Sequence, residues 1–241
     1  MNKFIFATST KKNGNMSATF GLEKAVQNRE RFIQSVSLDP EGLVVSKQIH
    51  GNNIVKVDKS LIGLAKTNTP IADADAMVTN DPKVVLAVFI ADCLPIFFYD
   101  DIAKCFGIAH AGRKGTIANI TGKTVKALID NFQVKAQNIK VTFGPCIHKC
   151  HYEQQKPEDT EKIEKFRLLF PSAVEQKNSK YYFDLILANQ TQLINAGIRK
   201  GNIDHASSEC TECHKEKYWS YHKVQKLEGV MMSVIGCNKN D

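Results

Sequence analysis

KVVLAVFIADCLPIFFYDDIAKCFGIAHAGRKG, residues 83–115, decides the fold class of this chain. Residues 83–99 hold two apolar, β-rich runs interrupted at Ala91-Asp92-Cys93-Leu94-Pro95, and residues 104–111 form a third. None alternates with polar residues as a half-exposed strand would, so all three are predicted as strands buried on both faces. Gly112 to Gly115 then turns the chain into a helix predicted from about Thr116 to Phe132, with apolar positions Ile117, Ile120, Val125, Leu128 and Ile129.

Further out, residues 42–58 read as two short β-rich runs joined through His50, Gly51, Asn52 and Asn53, which carry turn chemistry. Downstream come a strand at 139–144, a polar helix near 157–170, and a strand-like Tyr181–Asp184. That segment leads into a helix at about 185–197 that Gly197 closes. Tyr218–Tyr221 and Val230–Ile235 are also strand-like. Strands and helices mix without strict alternation, which predicts an α/β (α+β) protein built on a large mixed sheet. With no repeat or linker, residues 1–241 are expected to form a single domain.

Composition narrows the class. At 43% hydrophobic and 24% charged, with 14 Gly and 7 Pro, the chain can bury a sizeable core and is neither disordered nor fibrous. The net charge of +7 is dispersed, with no three basic residues in a row, so a solvated surface is expected rather than a nucleic-acid partner. The most apolar stretch, Val84–Tyr99, is shorter than the roughly 20 residues of a membrane span and contains Asp92 and Pro95. The first residues lack a signal-peptide core, so no membrane association and a cytoplasmic location are expected. Seven cysteines are then reduced thiols, some buried and some ligands or nucleophiles, rather than a disulfide framework.

Polar residues that interrupt buried strands are costly unless paired or used. Three interruptions qualify: Asp92-Cys93, His110 at the end of a buried strand, and His50 in KQIHGNN. Singly, each has a plain structural explanation. Together, two imidazoles and a thiolate make a three-ligand zinc site with a fourth position free, as catalytic zinc requires.

KQIHGNN, ADADAMVTND, VFIADCLPIFFYD, GIAHAGRKGT, GPCIHKCHYE and DLILANQTQLINAGI together resemble the YfiH family, known also as DUF152 or the laccase-like polyphenol-oxidoreductase family. The resemblance runs in order from about residue 44 to 235 and covers most of the chain. It implies a YfiH-like mixed β-sheet sandwich flanked by helices, shared with bacterial cysteine-hydrolase-like toxin domains. It also implies Zn²⁺ held by His50, Cys93 and His110, with these three and Asp92 as the catalytic residues. The implied activity is phosphorolysis of adenosine, inosine and 5′-methylthioadenosine and deamination of adenosine. Purine nucleoside and phosphate are then the partners, with Gln48, Arg113 and Lys114 as substrate-binding residues.

The sequence departs from the family pattern at defined places. Gly112-Arg113-Lys114-Gly115 lacks the usual Trp and has Lys for Arg, and the closing arginine positions are occupied by His222, Lys223 and Val230. A Lys supplies charge but no bidentate fork, so these changes bear most on phosphorolysis.

Zinc lowers the pKa of bound water to about 7, which suits attack at C6 of adenine, whereas phosphorolysis needs phosphate oriented on the ribose anomeric carbon. Asp92, Asp73 and Asp75 are candidates for proton transfer or for orienting a histidine ligand. For Asp73 and Asp75 the plainer reading is a strand end or Asx turn. A metal-free rival uses Cys93 as nucleophile and His110 as base, on an amide or peptidoglycan-precursor substrate. A non-catalytic ligand-binding protein is the alternative outside enzymes.

Other motifs carry less. Cys210-Thr211-Glu212-Cys213-His214 matches haem attachment, which belongs outside the cytosol. Cys146, Cys150, Cys210 and Cys213 have spacings that permit a structural zinc site, with unpaired buried thiols the plainer reading. Seven histidines and no His-x-His pair argue against a multicopper centre, and neither the nucleobase-deaminase signature nor a P-loop or dinucleotide fingerprint is present.

Overall fold

The buried runs segregate into two sheets packed face to face. A computed structural model describes residues 4–64, 69–155, 157–223 and 225–238. Four strands, β1 (Phe4–Thr8), β2 (Leu43–Val45), β5 (Val85–Ile90) and β13 (Met231–Cys237), form one sheet in the order β1-β13-β5-β2. Six others form the second: β3 (Ile54–Lys56), β4 (Ala76–Thr79), β6 (Leu94–Asp100), β7 (Cys105–Ala111), β8 (Lys140–Phe143) and β12 (Ile203–Asp204). Their order is β12-β8-β6-β7-β4-β3, and both sheets mix parallel and antiparallel pairs. A small antiparallel sheet of β9 (Glu153–Gln155), β10 (Val174–Lys177) and β11 (Lys180–Phe183) stands at the side.

Among the described residues five α-helices cover the outside: α1 (Leu22–Ser35), α2 (Arg113–Ile117), α3 (Ile120–Phe132), α4 (Thr160–Leu169) and α5 (Leu185–Asn195). The apolar strands explain the layering. Along β5, Leu86, Val88 and Ile90 enter the core between the sheets, while Val85 and Ala87 join Phe32 and Ile33 of α1 on the opposite face. In β6, Phe97 faces the inter-sheet core, while Ile96 and Phe98 pack with Val125 and Leu128 of α3. Both faces are covered, so the period of two is hidden in an unbroken apolar run.

The β-rich runs at 42–58 become β2 and β3, which lie in different sheets rather than pairing with each other. The same is true of β5 and β6, so Ala91–Cys93 carries the chain from one sheet to the other.

Two expectations are corrected. The helix predicted from Thr116 is two helices, α2 and α3, broken at Ala118 and Asn119, with Asn119 left-handed at φ 60°. The break is held from α5: Asn189 Nδ2 donates to Thr116 Oγ1 (3.0 Å) and Gln192 Nε2 to the Thr116 carbonyl (2.6 Å). Tyr218–Tyr221 is irregular rather than a strand, since backbone N–H groups there go to side chains, as in Trp219 to Met231 Sδ and Tyr221 to Asp92. The strands at 139–144, 181–184 and 230–235, and the helices at 157–170 and 185–197, are present with ends shifted by a few residues.

Phe97 is buried between the sheets and stacks on Phe6 of the facing sheet, with centroids 5.3 Å apart. Phe97→Ala is expected to destabilise the chain by about 3–5 kcal/mol, read as a lower urea midpoint at unchanged slope.

Candidate active site

His50, Cys93 and His110 come from three places in the sandwich: the β2–β3 loop, the crossover between β5 and β6, and the end of β7. Their ligand atoms all lie within 4.8 Å of one another. The two imidazoles meet edge to face, with centroids 4.9 Å apart. His110 is buried, Cys93 half-buried and His50 exposed, so the trio closes against the core and opens to solvent on one side. Close approach depends on Gly112: a Cβ there would sit 2.7 Å from Cys93 Sγ.

Asp75 organises this convergence. Its carboxylate is fully buried and accepts the backbone N–H groups of Ile49 (3.2 Å), His50 (3.0 Å) and Gly51 (2.7 Å). The same carboxylate stands 2.9 Å from His110 Nδ1. An ionised carboxylate only accepts, so Nδ1 carries the proton and Nε2 is left to the cleft. Burial opposes ionisation of Asp75, but the bonds from His110 and Gly51 outweigh it and hold the group below the usual carboxylate range. The plain strand-end reading of Asp75 is therefore corrected, whereas Asp73 lies at the surface beside Lys47 at 3.5 Å.

Burial would raise the Cys93 thiol, but His110 and His50 outweigh it and lower its pKa to about 6. Burial would lower His110, but Cys93 and Asp75 outweigh it and raise it to about 9. Each group favours the charged form of the other, thiolate with imidazolium.

The trio lines a cleft of about 1110 Å³, large enough for a drug-sized ligand. Asp73 and Asp75 do not line it, whereas Gln48, Asp92, Arg113 and Lys114 do. Their tasks differ. The Gln48 amide is engaged with backbone, Nε2 donating to the Phe89 carbonyl (2.8 Å) and Oε1 accepting from Phe89 N–H (2.6 Å). Asp92, at φ 92°, accepts from Thr211 Oγ1 (2.6 Å) and from the N–H groups of Tyr221 and His222 (2.7 Å each). Arg113 and Lys114 open α2 at the cleft's edge. Sequence reasoning missed Tyr152, Lys162 and Tyr221, which the small sheet, α4 and the irregular 218–223 segment bring to the wall. Nothing local in the sequence marks them.

The family described as multi-copper polyphenol oxidoreductase laccase matches residues 9–238. The chain belongs to this family. It is 31% identical over 218 residues to the purine nucleoside phosphorylase YlmD of Geobacillus stearothermophilus, covering 88% of this chain and 78% of that protein. It is also 31% identical over 254 residues to YlmD of Bacillus subtilis, covering 98% of this chain and 89% of the relative. The crystal structure of the Bacillus licheniformis hypothetical protein YfiH superposes with a TM-score of 0.89 at 28% identity, over 97% of this chain and 92% of that one. The mixed-sheet α/β architecture expected from the sequence is that of these relatives.

Several coppers would need more donors than the cleft offers. Among the described residues it presents one group of two imidazoles and one thiolate, with no methionine in its lining. That donor set, open on one side, could hold a single metal ion. Among the described residues no helix is long and apolar enough to cross a membrane.

Asp75→Asn would turn an amide N–H toward His110 Nδ1 or toward a backbone donor, favouring the wrong tautomer. Metal affinity of the cleft is expected to fall about 10–100-fold, measured by competition with a chromophoric chelator, while Asp73→Asn leaves it unchanged. In metal-stripped protein, alkylation of Cys93 followed by mass spectrometry should rise through pH 6 and level off, rather than climb toward the ordinary thiol value of 9.0. Zinc loading should slow it.

Proposed function

We propose that the chain is a metal-dependent purine nucleoside enzyme in which His50, Cys93 and His110 hold zinc. On this reading it catalyses phosphorolysis of adenosine, inosine and 5′-methylthioadenosine, and deamination of adenosine. The observation that carries it is the convergence of these three donors, with Nε2 of His110 directed by Asp75, at the open end of a cleft. The names of the similar proteins point to the same substrate class.

A zinc ion there supplies a Lewis acid and a water nucleophile at neutral pH. The rest is the work of the chain. Tyr152, Tyr221 and Phe89 form aromatic walls against which a purine ring stacks. Arg113, Lys114, Lys162 and Lys223 give the cleft the positive charge that a phosphate or ribose phosphate needs. Asp92 does not face the reacting atoms with a free oxygen; through Thr211, Tyr221 and His222 it holds the wall beside Cys93 in place. In phosphorolysis the glycosidic C–N bond breaks as a C–O bond to phosphate forms, giving free base and ribose 1-phosphate. In deamination water replaces the 6-amino group and ammonia leaves.

A metal-free Cys–His hydrolase is the second reading, favoured by the thiolate–imidazolium pairing of Cys93 with His110. Chelation separates the two, since it would leave a thiol hydrolase active.

The test is chromatography of adenosine incubated with metal-loaded protein, with and without phosphate, beside His50→Ala. Adenine that forms only with phosphate, and inosine that forms regardless, are expected. Both should fall by at least about a hundredfold in the variant and after chelation. No product from folded, metal-loaded protein would overturn the purine reading.

A further inference from the structure

A second cluster lies away from the cleft's three donors. Cys150, His151, Cys210 and Cys213 place one ligand atom each within 4.8 Å of all the others. Cys150 Sγ is 3.7 Å from both Cys210 Sγ and Cys213 Sγ. His151 Nδ1 is 3.3, 3.7 and 3.4 Å from the sulfurs of Cys150, Cys210 and Cys213. A tetrahedron with zinc–sulfur bonds of about 2.3 Å and a zinc–nitrogen bond of about 2.0–2.1 Å has edges of about 3.8 Å between sulfurs and about 3.5 Å from nitrogen to sulfur. The five distances match those edges within a few tenths of an ångström, and the sixth pair, Cys210 with Cys213, lies within 4.8 Å.

The backbone is arranged for a thiolate as well. N–H groups of His148, Glu212 and Cys213 are directed at Cys210 Sγ. The two turns that carry the donors are joined by a short parallel bridge, with Cys146 N–H donating to the Glu209 carbonyl (3.1 Å) and Thr211 N–H to the Cys146 carbonyl (2.9 Å). Cys146, which the spacing of the cysteine pairs admitted as a fourth sulfur ligand, is buried in the core instead, and His151 takes that place.

We propose that these four residues bind a structural zinc ion, separate from the one proposed for the cleft. Four protein donors close the coordination sphere, so this ion does no chemistry on substrate. Its effect is mechanical. Thr211, inside the Cys210-x2-Cys213 turn, donates to Asp92 (2.6 Å), the neighbour of Cys93. The other oxygen of Asp92 holds Tyr221 and His222, which line the cleft. The ion fastens the 210–213 turn to the 150–151 turn and so fixes the wall that Asp92 gathers.

The test counts metal in the full chain. After zinc loading and desalting, the chain should carry about two ions, His50→Ala/His110→Ala about one, and Cys150→Ser/Cys213→Ser about one, by elemental mass spectrometry. Cobalt substitution gives a readout independent of turnover. The His50→Ala/His110→Ala protein should keep strong thiolate-to-cobalt absorption and tetrahedral d–d bands, and both should vanish when Cys150→Ser/Cys213→Ser is added. If the cysteine double variant fails to fold, His151→Ala serves, with weaker binding and an altered cobalt spectrum expected. The proposal is overturned if folded His50→Ala/His110→Ala protein retains no metal, if the cysteine variants retain all of it, or if Cys150 and Cys213 are found joined as a disulfide in protein kept under reducing conditions.

Discussion

A buried anion holds the site together. Asp75 sits just ahead of β4 with no exposure to solvent, where an unpaired carboxylate could not remain ionised. Three backbone N–H groups and one imidazole compensate it. Each hydrogen bond to a charged group contributes roughly 1.5–3 kcal/mol, enough in sum to offset the desolvation. The same bonds fix the Ile49–Gly51 loop, hold His50 at φ 58° and select the His110 tautomer. The loop, His50 and the strand end therefore depend on one carboxylate, and β7 is tied to Asp75 again where His110 N–H donates to its carbonyl (2.7 Å).

The site lies where the two sheets hand the chain to each other. β5 belongs to one sheet and β6 to the next, so Ala91–Cys93 must turn between layers that are apolar on both faces. Asp92 adopts φ 92° there, strained backbone for a residue with a Cβ. Four bonds hold it: three to its carboxylate, and Ile147 N–H to its carbonyl (2.9 Å). Cys93 is thus presented at the sandwich's edge by rigid strands rather than by a free loop, the arrangement that keeps donor positions reproducible.

How much was legible follows from where each partner lies. His50, Cys93 and His110 were readable because each is a polar break in an apolar run, and a buried strand tolerates such a break only for a reason. Asp75 was legible only as one of three candidate aspartates, with a strand end or turn the plainer reading, because its partners stand 24 to 35 residues away. The break at Asn119 was hidden for the same reason: the groups that satisfy it come from Asn189 and Gln192 on another helix. Tyr218–Tyr221 has strand-like composition, but its backbone hydrogen bonds are spent on Asp92 and Met231, which no local pattern records. Cysteine spacing marked the second cluster without its membership, since His151 enters by its position on a turn and Cys146 leaves by facing the core.

The substitutions at the cleft bear on how an anion would be held. At the positions where the family resemblance leads one to expect arginine, this chain has Lys114, His222, Lys223 and Val230, and a lysine meets phosphate as a point charge. Two of the cleft's cations are lightly engaged: Lys223 lies 4.0 Å from Glu212, and Arg113 reaches Gln154 Oε1 at 3.5 Å, near the limit of a hydrogen bond, whereas Lys162 is closely paired with Asp159. Such partners are given up at little cost when a phosphate arrives, because exposed ion pairs contribute only about 0–1 kcal/mol. On the proposed reading, Arg113 retains the only planar fork among the cleft's described cations, and the lysines add charge without fixing direction. Geometry for in-line attack then rests, on that reading, on Arg113 and on the wall that Asp92 secures around Tyr221 and His222.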